Sequence, residues 1–328
     1  MKPATPVTVT VALQTDKTAA DYARLAQAVE GVGLQGISLF ADLGFQPPGP
    51  ALAIIAEHTS RVRIGVACYN PQLTHPVHIA AEAAALQHLS GGRGYVGVAR
   101  GAWLDRVGVT DDGGLKRFNE ALAVLRMVLA GNDSGYAGAY FRIDPGFRLS
   151  NPTDSMPMLV GTWGAQTAAI AVARGASEIK VGGSAAPESV TKLRAATADR
   201  VAIVLGAVTV CDHDRQAARR LARREVALYL DVVAGFDPDL AIEPEALGAV
   251  RSALGHGDLD AAAAAVPDEA LARYAFAGTP ADIADQAATL VTAGVSRIEF
   301  GTPHGLDAVT GIELLGREVA PAIGEAGA

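Results

Sequence analysis

Short runs of β-branched and apolar residues alternate along the chain with Ala- and Leu-rich stretches whose apolar positions recur at helical spacing, and Gly or Pro separates most of them. The run VTVTVAL at residues 7–13 predicts a first strand, and 19–30 predicts an amphipathic helix with Tyr22, Leu25 and Val29 on one face. The same alternation predicts further strands at 36–40, 63–68, 94–99, 158–160, 178–181, 202–210 and 296–301. Between them, helices are expected over 51–57, 76–89, 115–129, 165–174, from about 187, over 214–231, and ahead of the last strand. Pro76 suits a first helical turn, and Thr279, Pro280 and Asp282 spell a capping-box-like start.

Eight strands alternating with helices imply an α/β protein with a parallel sheet, most naturally closed as a (β/α)8 TIM barrel. A doubly wound open sheet is the rival, but it wants G-x-G-x-x-G directly after the first strand, where LQTDK at 13–17 has none. Two stretches exceed minimal units, about 107–157 and 234–277, and read as partly helical insertions at the C-terminal mouth of a single barrel domain spanning 1–328. The AAAAAV run at 261–266 reads as helix packing rather than linker.

Composition narrows the partners. Half of the 328 residues are hydrophobic, enough to bury a sizeable core. The net charge of -8 comes with no basic stripe, so no nucleic-acid partner is expected. Two cysteines, Cys68 and Cys211, make neither a disulfide scaffold nor a cysteine zinc site. No window reaches about 18 uninterrupted apolar residues, so no membrane span is expected. The first 13 residues lack the pattern of a signal peptide. The expectation is a soluble cytoplasmic protein.

In such a barrel the chemistry lies at the C-terminal strand ends. These read, in order, Gln14, Asp42, Cys68-Tyr69-Asn70, Arg100-Gly101, Gly161-Thr162-Trp163-Gly164, Gly182-Gly183, Cys211 and residues 299–304. No adjacent ends supply a pair of carboxylates, none of the 7 histidines pairs at i, i+4 around a Glu, and no G-x-S-x-G occurs. Glycosidase, metallohydrolase and serine-hydrolase chemistry are thereby disfavoured. Glycine and neutral polar groups instead suit a large planar cofactor whose own ring does the chemistry. Gly161 to Gly164 joins a strand to a helix start, where glycine lets a phosphate reach backbone amides. Trp163 there either packs the mouth or flanks a phosphate or sugar. Gly182-Gly183-Ser184 offers a second set of amides and a hydroxyl. His75 is suited to cap the helix that Pro76 begins, and Ser90 to Arg93 to form a tight turn at the barrel bottom. The arginine-rich run 215–224 reads as a solvated helix.

The segment RVRIGVACYNPQLTHPVHIAAEAAALQHLSGGRGYVGVARGAW at 61–103 resembles the third and fourth βα units of the bacterial luciferase-like superfamily. FADLGFQPPGP at 40–50, with AGTPADIADQ and AGVSRIEF within 276–300, resembles its deazaflavin branch, which includes methylenetetrahydromethanopterin reductase. The resemblance implies hydride transfer between coenzyme F420 and an organic substrate. The alternatives are a monooxygenase using flavin mononucleotide (FMN) and a cofactor-free binding subunit. It implies a ring held near Asp42, Ala67, Cys68, Tyr69, Asn70, Arg100 and Gly101, with the phosphate arm at Gly161, Thr162, Trp163, Gly164, Gly182 and Gly183. It further implies a non-prolyl cis bond at Ala67-Cys68, and a homodimer built partly on helices 51–57 and 76–89. Where deazaflavin sugar and alcohol dehydrogenases carry Glu, His and Glu, this chain has Gln14, Asp42 or a neighbour, and Ala102. Asp42 and Tyr69 are then the candidate catalytic groups, and Arg100 either holds an anionic group or pairs with a carboxylate at the mouth.

Overall fold

The computed structural model describes residues 6–237, 239–240 and 242–326. Eight parallel strands close a barrel: β1 (Thr8–Leu13), β2 (Gly36–Leu39), β3 (Arg63–Tyr69), β4 (Gly94–Ala99), β5 (Met158–Gly161), β6 (Glu178–Gly182), β7 (Ala202–Cys211) and β8 (Arg297–His304). Each pairs with its neighbour in sequence, β8 pairs with β1, and helices fill the connections. Strand residues facing outward, such as Val66, Val96, Ile179 and Phe300, join the helices in the main apolar core. The lumen is filled differently. Ala67, Tyr95, Leu159 and Val204 cluster there, with Cys68 packed against them.

Helix starts follow local chemistry. His75 caps Pro76–Leu89 by accepting the Val77 amide at 3.3 Å, and Thr279 with Asp282 completes a capping box on Pro280–Ala293. Both were legible in sequence. At the bottom, the Arg93 guanidinium ends the Ser90–Arg93 turn by donating to the carbonyls of Ala56, Thr59, Val62 and Ser90.

Several bounds differ from expectation. The second helix begins earlier, as Pro48–Glu57, because prolines are tolerated in a first turn. The expected 214–231 helix is two, Arg215–Ala227 capped by Asp214, then Leu230–Phe236. β8 runs on to His304 through a cis Thr302-Pro303 bond. The first insertion holds a helix, Gly114–Leu129, and a two-residue hairpin, Tyr136–Ala137 with Arg142–Ile143. Among the described residues the second holds three short helices, which pack with Leu230–Phe236 on a core of their own, and it ends in an unforeseen strand, Ala275–Gly278. That strand pairs with β7 from Val208 to Cys211, above the point where β6 leaves β7 at Gly206. Three of the arginines on Arg215–Ala227, namely Arg219, Arg223 and Arg224, bind Asp268 or Asp260 of this insertion, so the helix is an anchor as well as a solvated surface. Among the described residues no helix is long and apolar enough to cross a membrane.

Candidate active site

The ends of β1 to β5 surround one mouth. The Ala67-Cys68 bond at the end of β3 is cis, as expected, and the β3–β4 register shifts between Val66 and Tyr69. Ala67 and Cys68 face the lumen cluster. Burial pushes the Cys68 thiol up to about 12, against a smaller opposing pull from Lys180, so it stays protonated and is no nucleophile. Asp42 is exposed in the loop after β2, where Gln14 donates to it at 3.0 Å.

Tyr69 corrects the sequence reading. Its ring belongs to the main core with Val66 and Val96, not to the lumen cluster, and its hydroxyl donates to Glu82 on Pro76–Leu89. Burial and this carboxylate push the phenol above its ordinary range. The extra residue in the shifted register turns it outward, so it is no acid or base at the mouth. The nearly buried Asn70 accepts the Gln72 amide at 2.8 Å and lies against Gly101, which has φ +83°. A Cβ at Gly101 would overlap the Asn70 amide, so the loops after β3 and β4 interlock through a missing side chain. Arg100 pairs with Asp111, which also accepts Gln72 Nε2 at 2.6 Å.

The two glycine loops differ. Gly164 starts the helix Ala165–Ala173 with no side-chain cap on that helix, and its own amide donates to Thr162 Oγ1 at 3.0 Å. The amides of Ala165, Gln166 and Thr167 have no acceptor among the described residues and remain available to an anion. Trp163 packs on both the main core and the core of the second insertion, so it joins the two. Around Gly182 the expectation fails. The amides of Gly183 and Ser184 both donate to the Gly206 carbonyl, at 2.7 and 3.0 Å, and the buried Ser184 hydroxyl accepts the Ala186 amide. This loop has no such donors left for a phosphate.

Seven buried polar side-chain atoms have no hydrogen-bond partner among the described residues, and three of them lie on the loops after β1, β3 and β4: Thr15 Oγ1, Gln72 Oε1 and Arg100 Nε. Unpaired buried groups are uncommon and mark where a ligand or water completes a site. Sequence reasoning missed a further feature, an ion cluster in the lumen directly below. Glu178 binds Arg63 at 2.5 Å and Arg297 at 2.8 Å, while Glu299 binds Lys180, Ser38 and, at 3.4 Å, Arg297. No cluster of metal-ligating side chains occurs among the described residues.

Comparison with known proteins gives this geometry a context. The profile of the family described as luciferase-like monooxygenase matches residues 4–297. A 5,10-methylenetetrahydromethanopterin reductase from Archaeoglobus fulgidus is 31% identical over 82% of this chain and 86% of that protein. The structure of the coenzyme F420 dependent tetrahydromethanopterin reductase from Methanopyrus kandleri superposes with a TM-score of 0.86 at 22% identity, covering 97% of this chain and 99% of that one. An F420-dependent secondary alcohol dehydrogenase in complex with an F420-acetone adduct superposes with a TM-score of 0.79 at 18% identity, with the same coverage.

Proposed function

This chain belongs to the luciferase-like monooxygenase family, and from that membership we propose that it is an oxidoreductase transferring a hydride between coenzyme F420 and a small organic substrate. The observation that carries the reading is the 31% identity, along 82% of the chain, to a methylenetetrahydromethanopterin reductase. The residues at the mouth fit the cofactor. Unpaired polar atoms on three loops, the close Asn70–Gly101 contact and the free amides of Ala165 to Thr167 suit a flat polar ring with a phosphate arm.

When bound, the deazaflavin supplies the hydride-carrying ring. Ala67, Cys68, Asn70 and Gly101 would seat it, and Gly161, Thr162, Trp163 and Gly164 would hold its phosphate. Asp42, kept in place by Gln14, is the group able to exchange a proton with the substrate. Arg100 is neutralised by Asp111 and shapes the loop rather than holding a free anion. The organic substrate enters between these loops, and a cytoplasmic location goes with a diffusible cofactor.

Titration of the purified protein with oxidised F420 and with FMN, followed by fluorescence, tests this reading. F420 is expected to bind at least tenfold tighter. Tighter binding of FMN by tenfold, about 1.4 kcal/mol, would make the monooxygenase reading the better one. Binding of neither would favour a non-catalytic subunit.

The proposal includes a homodimer. Leu89 is 63% exposed and edges a cavity of about 230 Å³ between Pro48–Glu57 and Pro76–Leu89, a setting that a second copy would cover. Light scattering at micromolar concentration is expected to give twice the chain mass, and a monomer mass would refute it.

A further inference from the structure

The lumen carries ionised groups that the proposed reaction leaves without a role. Along β6, Glu178 and Lys180 alternate with Ile179 and Val181, and along β8, Arg297 and Glu299 alternate with Ile298 and Phe300. The apolar partners pack outward under the helices, so all four charged side chains point into the barrel, where Arg63 of β3 joins them. Three cations face two carboxylates, but Arg63, at the start of β3, is 30% exposed and meets solvent at the barrel bottom, whereas Lys180 and Arg297 are each 5% exposed.

Lys180 is the member next to the mouth. Its ammonium lies 5.1 Å from the centre of the Phe40 ring, at the end of β2, and its charge reaches the Cys68 sulfur at the end of β3. Only 5% of its side chain is exposed, and Glu299 is its one hydrogen-bonding partner among the described residues, against three available N–H donors. Apart from Glu299, no group around it supplies a counter-charge among the described residues. Burial pushes Tyr95 on β4 above its ordinary range and Cys68 up to about 12, so both are neutral. Burial opposes ionisation of Glu299, but Lys180 and Arg297 outweigh it and hold that carboxyl ionised. Glu178 is shared between Arg63 and Arg297, and Asp42 stands outside the lumen in contact with solvent.

A buried ammonium with donors left unpaired is costly unless a further partner reaches it, and Lys180 lies under the mouth beside Phe40 and Cys68. We propose that Lys180, held by Glu299 and the face of Phe40, is a positioning residue that sets a positive potential beneath the cofactor ring and favours the ring's anionic form. The inference rests on the reading that the mouth binds a deazaflavin, and it assigns a role to an ion pair whose replacement by apolar residues would otherwise be tolerated.

The test follows ionisation of the ring hydroxyl by absorption of protein-bound oxidised F420 across pH. The wild-type protein is expected to lower the ring's ionisation pH relative to free cofactor. Lys180→Met removes the nearest cation and is expected to raise it by about one unit, a tenfold change in the ionisation constant. Glu299→Gln unmasks Lys180 and is expected to lower it, and the Lys180→Met/Glu299→Gln double variant is expected to fall between the two. If Lys180→Met does not fold, Glu299→Gln against the double variant decides the same question. A purely structural pair would weaken binding in each variant without ordering the titrations by charge, and unmoved or reversed titrations overturn the proposal. Failure of the wild-type protein to bind F420 overturns the functional reading and this inference together, whereas binding with unmoved titrations overturns the inference alone.

Discussion

Gln14, at the end of β1, donates its side-chain amide to Asp42 Oδ2 at 3.0 Å and ties the first strand end to the loop after the second. This neutral donor fixes the direction of the carboxyl group. Asp42→Asn retains an oxygen that accepts from Gln14 but loses the ability to exchange a proton. Turnover with F420 is expected to fall by about 100-fold or more with cofactor affinity little changed. Because Asp42 is exposed, stability is expected to stay within about 0.5 kcal/mol of wild type. Steady-state kinetics and a cofactor titration on the same preparation check both halves.

Gly101 and Gly44 both have positive φ, +83° and +87°, but only Gly101 faces a neighbour that a methyl group would overlap. Gly44→Ala is expected to cost about 1–2 kcal/mol from backbone conformation alone. Gly101→Ala adds overpacking against Asn70, for a total of about 2–4 kcal/mol, and it pushes apart the loops that seat the ring. Urea unfolding gives the stabilities. Weakened F420 binding in Gly101→Ala but not in Gly44→Ala would confirm that the interlock shapes the site.

The barrel was legible because each βα unit announces itself locally: a β-branched run, a breaker, then a capped apolar helix. The cis bond and the Asn70 turn were legible only through resemblance, since nothing in the letters A-C-Y-N dictates them. Tyr69 was misplaced because a register shift of one residue exchanges the two faces of a strand, and no residue pattern marks the shift. The Gly182 loop misled because glycine shows where backbone is exposed to approach, not whether its amides are already bonded to Gly206. The lumen ion cluster did leave a signal. In a parallel barrel both strand faces are buried, so the alternating charges of E-I-K-V at 178–181 and R-I-E-F at 297–300 had to meet inside.

His304 gives the fold an acid-sensitive point. Its imidazole is buried with Nε2 unpaired, and burial, helped by nearby Lys17, lowers its pKa to about 4. Unfolded, the ring takes up a proton near pH 6.5. The stability from keeping it neutral is therefore full above about pH 6.5 and is lost as pH falls towards 4, by on the order of 2–3 kcal/mol. His304→Asn does not titrate and tolerates the +78° φ. Urea midpoints between pH 7 and 4 are expected to fall less steeply in the variant; parallel slopes would remove His304 as the cause.

Glu30 acts in a lower window. Burial pushes its carboxyl up, but the amides of Arg61, Ser60 and Val62 and the Ser60 hydroxyl outweigh that and hold it at about 2. Its stabilisation is present above about pH 4.5 and lost as pH falls towards 2. Glu30→Gln is expected to be less stable than wild type by about 1–2 kcal/mol at neutral pH, a figure reduced for solvent screening at this partly hydrated turn. The gap should close between pH 4.5 and 2. A gap that persists at pH 2 would mean that the loss is one of shape rather than charge.

Lys180 and Glu299 are 5% and 1% exposed, so each is the other's main compensation for lost hydration. Lys180→Met leaves Glu299 with Ser38 and a long contact to Arg297, and Glu299→Leu leaves Lys180 with only the Phe40 ring. Each single change is expected to cost about 3–5 kcal/mol, the usual result of stranding one member of a buried pair. Lys180→Met/Glu299→Leu strands neither and restores apolar packing in the lumen, although Ser38 loses its acceptor and keeps only its 2.5 Å partner Tyr95. The double variant is therefore expected to be more stable than either single one and within about 2 kcal/mol of wild type, the unmet Ser38 bond being worth about 1. A double-mutant cycle by urea unfolding measures the coupling directly. Additive losses would show that the two side chains act separately and that solvent, not the partner, holds each charge in place.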